Sequence, residues 1–513
     1  MEWLQKHFLE QPNKRFLDDQ TFGDVYKQVQ TVADSLSSAV SAVSRVALLS
    51  DNSVTMAVYL LALMLLHKEV LLLNVHLTPA EIRNQLDELD VHTVVVSGER
   101  LEQLRNGERC NGVEHLSGIG QVIVFDEASI HSADSANLDV DRFDWHFNDS
   151  DIAAIMNTSA TTGKFKSVPL RWGQIRAHVE ASAQTLGVTP DDTWLMVLPL
   201  FHVSGLSILM RSLYNGTAVR MMEKLDRQEL VRLVNDQEIN MVSLVPTILK
   251  DVVGDIATHR MRVILLGGEF IPMPLVEACR EKSLPIYKTY GMTETFSQSV
   301  TFSILDYPDK IESVGKPLPG MTVNIVNPDV DGVGEIHLTG PMLMDGYLNK
   351  EPIRGDFNTD DIGYVDEDGY VYILNRRKDI IISGGENIYP KEIEDLLYTL
   401  PYVKECAVVP VADEKWGQVP ALFVAVDKTH SELSQDKNVG NTGKLTQEAL
   451  VKQELSCFLS NHLARYKIPK YITILDSLPR NGTGKILRKD LQIYAESRYI
   501  HVVGGSNDVG SSD

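Results

Sequence analysis

Short runs of β-branched and aliphatic residues alternate with helical patterns over about the first 300 residues. The chain reads SRVALLS, the helical SVTMAVYLLALMLL, EVLLLN, the helical TPAEIRNQLDEL and then HTVVVS. Parallel strands need crossover helices, so this rhythm predicts an α/β fold with a parallel sheet. It returns at INMVSLVPT, RVILLGGE and LPIYKTYGMTET, where each strand ends in a turn rich in Gly, Thr or Pro. Such sheets bind ligands at the carboxyl ends of their strands, so we expect the site in these turns.

After about residue 300 the segments become strand-like and turn-rich, and from ENIYPKEIEDLLYTL onward they form a compact α+β pattern. We therefore predict a large N-terminal domain, residues 1–375, made of two parallel αβ-layered subdomains and a small β-rich subdomain. A small α+β domain follows at residues 376–500, with its linker near 375–378. KTHSELSQDKNVGNTGK is predicted to be a surface insertion, and residues 501–513 a disordered tail.

The charge balance and the cysteines limit the classes of partner and compartment. With 48 basic and 70 acidic residues the formal charge is -22, which disfavours binding to nucleic acid or to anionic membranes. The longest apolar run, residues 56–66, is too short to cross a bilayer. We expect a cytoplasmic protein without membrane insertion, and assembly into a homo-oligomer is compatible with the sequence. Four cysteines lie far apart, as is usual for buried thiols in a reducing compartment: Cys110, Cys279, Cys406 and Cys457.

The segment NTSATTGKFKSV, residues 157–168, follows an apolar strand. Its hydroxyls and backbone N–H groups suit phosphate oxygens, and Lys166 adds a positive charge. It lacks the Gly-Lys-Ser/Thr order of the common nucleotide-binding loop, so a solvated turn is the alternative. The candidate phosphate ligands of this loop are Thr158, Ser159, Thr161, Thr162, Gly163 and Lys166.

Three later segments add candidate groups. TYGMTET contains Glu294, a hard oxygen ligand suited to magnesium, although the start of a helix would also place an acid there. TDDIGYVDEDG supplies Asp361, whose carboxylate suits a ribose diol, although taken by itself the segment is better explained as a hairpin turn. LPRNGTGKILRKDL places Lys485 after a glycine-rich turn, where a lysine is usually only solvated.

In this order the segments resemble the adenylate-forming superfamily of acyl-CoA synthetases, luciferases and peptide-synthetase adenylation domains. Further matches are LPLFHVSGL, LLGGE, NRRKDIIISGGENIYPKEIE and DEKWGQVP, and the resemblance extends from about residue 20 to 495. It implies that a carboxylic acid and ATP form an acyl-adenylate and pyrophosphate, after which coenzyme A displaces AMP. Bringing a carboxylate to a polyanionic nucleotide requires concentrated positive charge.

The resemblance also implies a role for each matched residue. Lys166 holds the β- and γ-phosphates, Thr293 lies near the α-phosphate and Glu294 positions Mg²⁺. Lys485 bridges the acid and the α-phosphate during adenylation. The residues implied to bracket adenine are Gly267, Gly268, Glu269, Tyr290 and Gly291, and those implied to bind the ribose are Asp361 and Arg376.

The thioester step is implied to use the C-terminal domain after a rotation about Lys378. Gly384 and Gly385 then approach coenzyme A, and Trp416 edges its channel unless it is a core residue. His202 is implied to gate or line the acyl pocket, with a packed histidine as the alternative.

Four positions depart from the superfamily pattern. Ala160 replaces the first glycine of the phosphate loop, Phe165 a proline and Ser167 the last glycine, and Asp360 stands where glycine is usual. An alanine held at positive φ costs on the order of 1 kcal/mol, so we expect adenylation to be retained at a reduced rate.

A more specific resemblance bears on the choice of acid. It is to ligases of an aromatic acid with a second carboxylate, and the matching segments are WLMVLPLFHVSGLSILMRSL and RRKDIIISGGENIYP. Arg211 is the candidate partner of that carboxylate, with a structural ion pair as the alternative, and Ser297 and Gln298 are candidate hydrogen-bonding residues. The alternatives are a ligase of another aryl or medium-chain acid, a domain that loads a carrier protein, and a non-catalytic adenylate-binding protein.

Overall fold

The structure of the chain is a computed structural model. It describes residues 1–101, 120–126, 142–159, 165–268, 271–376, 379–383, 386–413, 415–427, 447–463, 465–481 and 485–499. The chain divides into two compact units. The first consists of Met1–Gly268, Cys279–Val323 and Leu338–Phe357, and the second of Glu269–Ala278, Asn324–His337 and Asn358–Asp513.

The described helices are α1 (Glu2–Glu10), α2 (Phe22–Ser37), α3 (Val54–Leu65), α4 (Pro79–Glu88), α5 (Trp172–Leu186), α6 (Val203–Asn215), α7 (Arg227–Asn235), α8 (Pro246–Val252), α9 (Met273–Glu281), α10 (Pro390–Tyr398), α11 (Gln447–His462) and α12 (Arg488–Tyr499). None of the helices in the described part of the chain has both the length and the apolar character needed to cross a membrane.

The strands of the first unit are β1 (Arg15–Leu17), β2 (Gln20–Thr21), β3 (Arg45–Leu49), β4 (Glu69–Leu72), β5 (Thr93–Val96), β6 (Gln121–Val124), β7 (Ile152–Ser159), β8 (Phe165–Arg171), β9 (Thr193–Met196), β10 (Ala218–Met221), β11 (Met241–Leu244), β12 (Val263–Leu266), β13 (Ile286–Met292), β14 (Ser297–Ser303) and β15 (Lys316–Pro317). The remaining strands are β16 (Thr322–Val326), β17 (Gly334–Thr339), β18 (Phe357–Val365), β19 (Val371–Arg376), β20 (Ile381–Ser383), β21 (Glu386–Ile388), β22 (Val403–Asp413), β23 (Gly417–Val426) and β24 (Tyr471–Leu475).

Two parallel-type sheets form the first unit. One has six strands in the order β6-β5-β3-β4-β7-β8, and the other has nine in the order β15-β14-β13-β12-β11-β9-β10-β1-β2. Only the outer pairings are antiparallel: β7 with β8, β13 with β14, β14 with β15 and β1 with β2. The predicted α/β fold with two parallel αβ layers is confirmed. The sequence pattern predicts this fold because a strand that is buried on both faces is a continuous run of apolar residues.

Helix α3 lies in the core that the two sheets share. Ser53 begins it by accepting a hydrogen bond from the backbone N–H of Met56, and every residue from Met56 to Leu65 is buried. The same cluster of buried residues includes side chains of both sheets, such as Leu72 and Met241. A helix that is apolar on all sides is stable only when it is buried on all sides.

Asn52 joins the segments that follow β3 and β9, one from each sheet. Its Nδ2 donates to the carbonyl of Leu198 at 2.9 Å, and its Oδ1 accepts from the backbone N–H of Leu200 at 2.8 Å. The residue is 4% exposed. Both sheets therefore present the carboxyl ends of these strands to the same region of the first unit.

The second unit is organised around two smaller sheets. A four-stranded sheet, β16-β17-β18-β19, lies mainly in this unit, and β18 pairs with β19 antiparallel. The other sheet contains β20 to β24, with a long antiparallel pair formed by β22 and β23. Its core includes Ile393 of α10 and Leu455 of α11. The predicted turn-rich β segment and the α+β pattern thus appear as separate sheets, whereas the boundary at residue 375 stays a prediction.

We predict that Asn52→Ala lowers the free energy of unfolding by about 1–3 kcal/mol, because the buried N–H of Leu200 loses its acceptor. Urea unfolding of the full chain measures this, with Asn84→Ala on the exposed face of α4 as the control. Equal stability of the two variants would show that Asn52 does not join the sheets.

Candidate active site

The glycine pair after β12 lies beside the end of β13. The two strands are parallel neighbours, with Leu266 opposite Lys288. A Cβ on Gly267 would come within 2.6 Å of the Thr289 carbonyl oxygen, so only glycine permits this approach. Gly267 and Gly268 are thereby brought close to Tyr290, as the adenine prediction requires. Glu269, the third member of that motif, lies outside the described residues.

Gly291 sets the shape of the turn that carries Thr293 and Glu294. A Cβ at this position would lie 1.6 Å from the Ser297 carbonyl oxygen, which no side chain tolerates. The turn closes through Phe296 and Ser297, whose φ angles of 53° and 103° are in the left-handed region. The strained closure directs the chain back along β14 and leaves Glu294 at the tip.

Glu294 is held on both its backbone and its side chain. Its carbonyl accepts hydrogen bonds from Gln174 Nε2 at 3.0 Å and from the Met344 N–H at 2.8 Å. Its Oε1 accepts a hydrogen bond from the Tyr347 hydroxyl at 2.8 Å. The carboxylate therefore has a fixed orientation, and one hard oxygen ligand is what a Mg²⁺ shared with nucleotide phosphates needs from a protein.

The hydroxyl-rich loop belongs to the β7–β8 hairpin. Thr158 lies at its base, with Oγ1 donating to the Lys166 carbonyl at 3.4 Å. Ser167, which stands where glycine is usual in the superfamily, is buried and donates to Asn157 Oδ1 at 2.7 Å. The Lys166 Nζ lies 4.9 Å from the centre of the Tyr347 ring. The side chain of Ser159 and residues 160–164, which include Ala160, Thr161, Thr162 and Gly163, lie outside the described residues.

Residues 342–348, named here the strap, contact both motifs. The Met344 N–H donates to Glu294, and the Leu348 N–H donates to the Ser167 carbonyl at 2.9 Å. The Tyr347 side chain reaches Glu294 and Lys166 between these two bonds. The sequence analysis did not identify Tyr347 or Gln174. The strap sequence MLMDGYL carries no charge pattern that would have singled out the tyrosine.

Arg211 is the largest fully buried side chain of the described residues and is 2% exposed. Its Nη2 donates to Gln298 Oε1 at 2.8 Å and lies 3.5 Å from Ser297 Oγ. Its guanidinium lies 5.6 Å from the centre of the Trp194 ring. The three residues predicted to form the acid pocket therefore come together. No carboxylate among the described residues pairs with Arg211, which argues against the structural ion pair.

Two of the guanidinium nitrogens of Arg211, Nε and Nη1, are buried without a hydrogen-bond partner in the described part of the chain. Burial lowers the pKa of Arg211 to about 9, so the side chain stays positively charged at neutral pH. A buried charge without a partner is expensive, and buried cations are normally paired. The arrangement suits an anionic ligand that supplies the missing acceptors.

A buried polar network keeps Gln298 in place. Its Oε1 also accepts from Ser182 Oγ at 2.8 Å, and its Nε2 donates to Thr301 Oγ1 at 2.9 Å. Its backbone N–H donates to His178 Nε2 at 3.2 Å. Burial, and then the charge of Arg211, keeps the pKa of His178 well below its usual value, so this ring is neutral. His178, like Tyr347 and Gln174, is not marked by any motif in the sequence.

His202 precedes α6 and contacts Phe201, with 4.8 Å between the ring centres. Its Nε2 is buried and has no hydrogen-bond partner among the described residues. Burial, and then the charge of His76, lowers its pKa to about 4. The ring is therefore neutral under physiological conditions, which fits a residue that lines an acyl pocket better than one that carries charge.

The predicted ribose ligands are cross-strand neighbours in the second unit. Asp361 on β18 lies opposite Arg376 on β19, and Asp361 is 4% exposed. Asp360, which stands at a usual glycine position, has a φ of 60°. That angle explains the preference for glycine, and aspartate is one of the few other residues that adopt it readily. The Arg376 side chain lies outside the described residues.

Lys485 is exposed at the end of a tight turn in the second unit. Its N–H donates to Asn481 Oδ1 and its carbonyl accepts the Asn481 N–H, each at 2.9 Å. Three residues later Arg488 makes a bidentate ion pair with buried Glu394, with both distances 2.7 Å. This pair anchors the base of the turn on the α+β core. Sequence reasoning identified neither partner of the pair.

Trp416, one of the predicted coenzyme A residues, lies near the end of β20. Ser383 is opposite Gly417, so Trp416 lies near the chain that leads into the glycine pair. Trp416 is 48% exposed, which excludes the alternative of a core tryptophan. Gly384, Gly385 and the predicted hinge residue Lys378 lie outside the described residues.

Two family models match this chain. The model described as AMP-binding enzyme matches residues 4–348, and the model described as AMP-binding enzyme C-terminal domain matches residues 392–485. The first alone extends over more than half of the chain. Its matched segment contains Lys166, Arg211 and Glu294, whereas the second ends at Lys485.

Named relatives match over nearly the whole length. A 2-succinylbenzoate–CoA ligase of Lactococcus lactis is 51% identical over 492 residues, covering 96% of this chain and 100% of the relative. One from Staphylococcus aureus is 33% identical, covering 95% and 99%. A solved structure of o-succinylbenzoate CoA synthetase from Bacillus subtilis, in complex with its acyl-adenylate intermediate, is 32% identical with a TM-score of 0.80, covering 96% of this chain and 97% of that one. The same enzyme in complex with ATP and magnesium ion has the same identity and TM-score, covering 95% and 98%.

The pKa of His202 predicts a pH dependence of stability. The folded chain holds this pKa at about 4, whereas an unfolded histidine titrates near its usual value of 6.5. The neutral ring therefore contributes its full stability above pH 6.5 and loses it progressively as the pH falls toward 4. We expect His202→Gln, which cannot take up the proton, to lose less stability than the unsubstituted chain between pH 7 and pH 5.

Urea unfolding at the two pH values measures this difference. His92→Gln, on the surface, is the control and should lose as much stability as the unsubstituted chain. Equal losses in all three proteins would contradict the buried, neutral state of His202.

Proposed function

The chain belongs to the AMP-binding enzyme family, and we propose that it is an ATP-dependent ligase that joins 2-succinylbenzoate to coenzyme A. ATP and the acid give the acyl-adenylate and pyrophosphate, and the thiol of coenzyme A then displaces AMP. We assign this reaction to menaquinone biosynthesis. The fold and the relatives agree on the reaction class, and the geometry around Arg211 supports the choice of acid.

The nucleotide is assigned to the carboxyl ends of β7, β12 and β13. Gly267 and Tyr290 bracket the adenine, and Lys166 faces the β- and γ-phosphates. Glu294 supplies an oxygen ligand to Mg²⁺, which when bound neutralises charge on the phosphates. The fixed orientation of the Glu294 carboxylate and its position at the tip of a turn support this assignment. Thr293, which precedes it, is assigned to the region of the α-phosphate.

The acid is assigned to the region of Arg211, Ser297 and Gln298. One carboxylate of 2-succinylbenzoate is activated, and the second needs a positively charged partner. Among the described residues, two N–H-bearing nitrogens of Arg211 have no hydrogen-bond partner, and the side chain carries its positive charge at neutral pH. The buried, uncompensated charge of Arg211 is the observation that carries this choice of acid, because a monocarboxylic acid would leave it unpaired.

The second unit supplies the groups for the chemistry of activation and thioester formation. Lys485 is assigned to the incoming carboxylate and the α-phosphate, where it offsets the negative charge that develops. Asp361 and Arg376 are assigned to the ribose, and Gly384, Gly385 and Trp416 to coenzyme A. A rotation about Lys378 that exchanges these groups remains part of the proposal, as do a cytoplasmic location and a homo-oligomeric state.

We predict that the purified chain forms a coenzyme A thioester from 2-succinylbenzoate, with a kcat/KM at least about 100-fold above that for benzoate or a medium-chain fatty acid. Chromatography of the thioester with a panel of acids measures this. A comparable or better rate with a monocarboxylic acid would contradict the assigned substrate while leaving the ligase reaction intact.

Arg211→Leu is expected to lower kcat/KM for 2-succinylbenzoate by about 10- to 100-fold, because a hydrogen-bonded ion pair with the second carboxylate is lost. The KM for ATP should not change. The matched substrate control is the analogue with an amide in place of that carboxylate, on which both proteins should act equally. Arg227→Leu, at the surface, is the control variant. Equal losses for the acid, the analogue and ATP would mean that Arg211 has only a structural role.

A further inference from the structure

We propose that Tyr347 is a positioning residue for the nucleotide: it fixes Lys166 and Glu294 and keeps these opposite charges apart, so that both remain available to Mg²⁺-ATP. The inference rests on the proposed function, which assigns Lys166 to the phosphates and Glu294 to the metal. Tyr347 belongs to none of the sequence motifs and has none of the roles assigned above.

One tyrosine side chain contacts both charged groups. Its hydroxyl donates to Glu294 Oε1 at 2.8 Å, and the centre of its ring lies 4.9 Å from Lys166 Nζ. Lys350 Nζ lies 5.6 Å from the same ring centre. In the described part of the chain, Lys166 forms no ion pair with a carboxylate. The aromatic ring therefore takes the place that a carboxylate would otherwise occupy beside this lysine.

The physical consequence concerns the charge available to the ligand. A direct ion pair between Lys166 and Glu294 would offset both charges, and the nucleotide and the metal would then have to break it. An aromatic ring attracts an ammonium group without offsetting its charge, and a phenol hydroxyl orients a carboxylate without protonating it. Tyr347 thus orders both side chains while leaving a full positive and a full negative charge.

The backbone around Tyr347 makes this placement specific. The Met344 N–H donates to the Glu294 carbonyl, and the Leu348 N–H donates to the Ser167 carbonyl. The strap is therefore fixed to both motifs, with one bond on each side of the tyrosine. Asp345 adds an ion pair with Arg171 at the end of β8, at 2.9 Å. Because β7 and β8 belong to one sheet and β13 to the other, Tyr347 lies where the two sheets each contribute one charged group.

Two substitutions separate the hydroxyl from the ring. Tyr347→Phe keeps the ring and should weaken binding of ATP with Mg²⁺ about 3- to 10-fold, because Glu294 loses its orienting hydrogen bond. Binding of ATP without Mg²⁺ should stay within about twofold of the unsubstituted chain. Tyr347→Leu removes both contacts and should weaken binding about tenfold with and without Mg²⁺, since Lys166 is then free to pair with Glu294. Isothermal titration calorimetry with ATP alone and with ATP and Mg²⁺ measures these constants without acid or turnover.

A double-substitution cycle distinguishes charge separation from a structural role. In the Glu294→Gln background no carboxylate remains to capture Lys166, so adding Tyr347→Leu should not further weaken Mg²⁺-free ATP binding. Tyr307→Phe and Tyr307→Leu, at an exposed tyrosine of the first unit, are the matched controls and should bind as the unsubstituted chain.

Three outcomes overturn the inference. Unchanged constants in both Tyr347 variants, with normal ATP binding by the unsubstituted chain, would refute it alone and leave the proposed function standing. A loss from Tyr347→Leu of equal size in both backgrounds would show that the tyrosine acts only through packing. Failure of the unsubstituted chain to bind ATP would refute the proposed function and this inference together.

Discussion

Two parallel sheets meet at the carboxyl ends of their strands, and hydrogen bonds join them there and hold the segments that carry Lys166 and Glu294. Asn52 joins the segments after β3 and β9, and the strap joins the β7–β8 hairpin to the turn after β13. Each sheet alone would present only half of the charged side chains. The candidate ligand site therefore forms only where the two sheets meet. The buried helix α3 stabilises this junction by packing between the layers.

The positively charged side chains of this acidic chain differ in whether a carboxylate pairs with them. The chain has a formal charge of -22, and many of its described cations pair with a carboxylate, as Arg232 does at the surface. Arg211 and Lys166 differ, because their described neighbours are amide, hydroxyl and aromatic groups. Keeping a cation unpaired in a buried position destabilises the free protein, and an anionic ligand relieves that cost. This is the physical basis for expecting a dicarboxylic acid and a triphosphate in one enzyme.

Much of the fold followed from sequence because the parallel strands are short apolar runs that end in Gly- or Thr-rich turns. The glycines in these turns could be interpreted as well, because Gly267 and Gly291 lie where two stretches of backbone approach each other closely. No such signal marks Tyr347, His178 or the Glu394–Arg488 pair. Their roles depend on contacts between residues 53 to 181 positions apart, which only the tertiary structure brings together. Asp360 was recognised as a departure, but its left-handed φ was needed to explain it.

Every role assigned to a side chain depends on the formation of an acyl-adenylate from 2-succinylbenzoate. The most direct measurement mixes the enzyme with ATP, Mg²⁺ and the acid, omits coenzyme A, and identifies the bound products by mass spectrometry after rapid quenching. We expect about one equivalent of 2-succinylbenzoyl-adenylate per chain together with pyrophosphate. Formation of ADP and phosphate, or of no acyl-adenylate although both substrates bind, would contradict it.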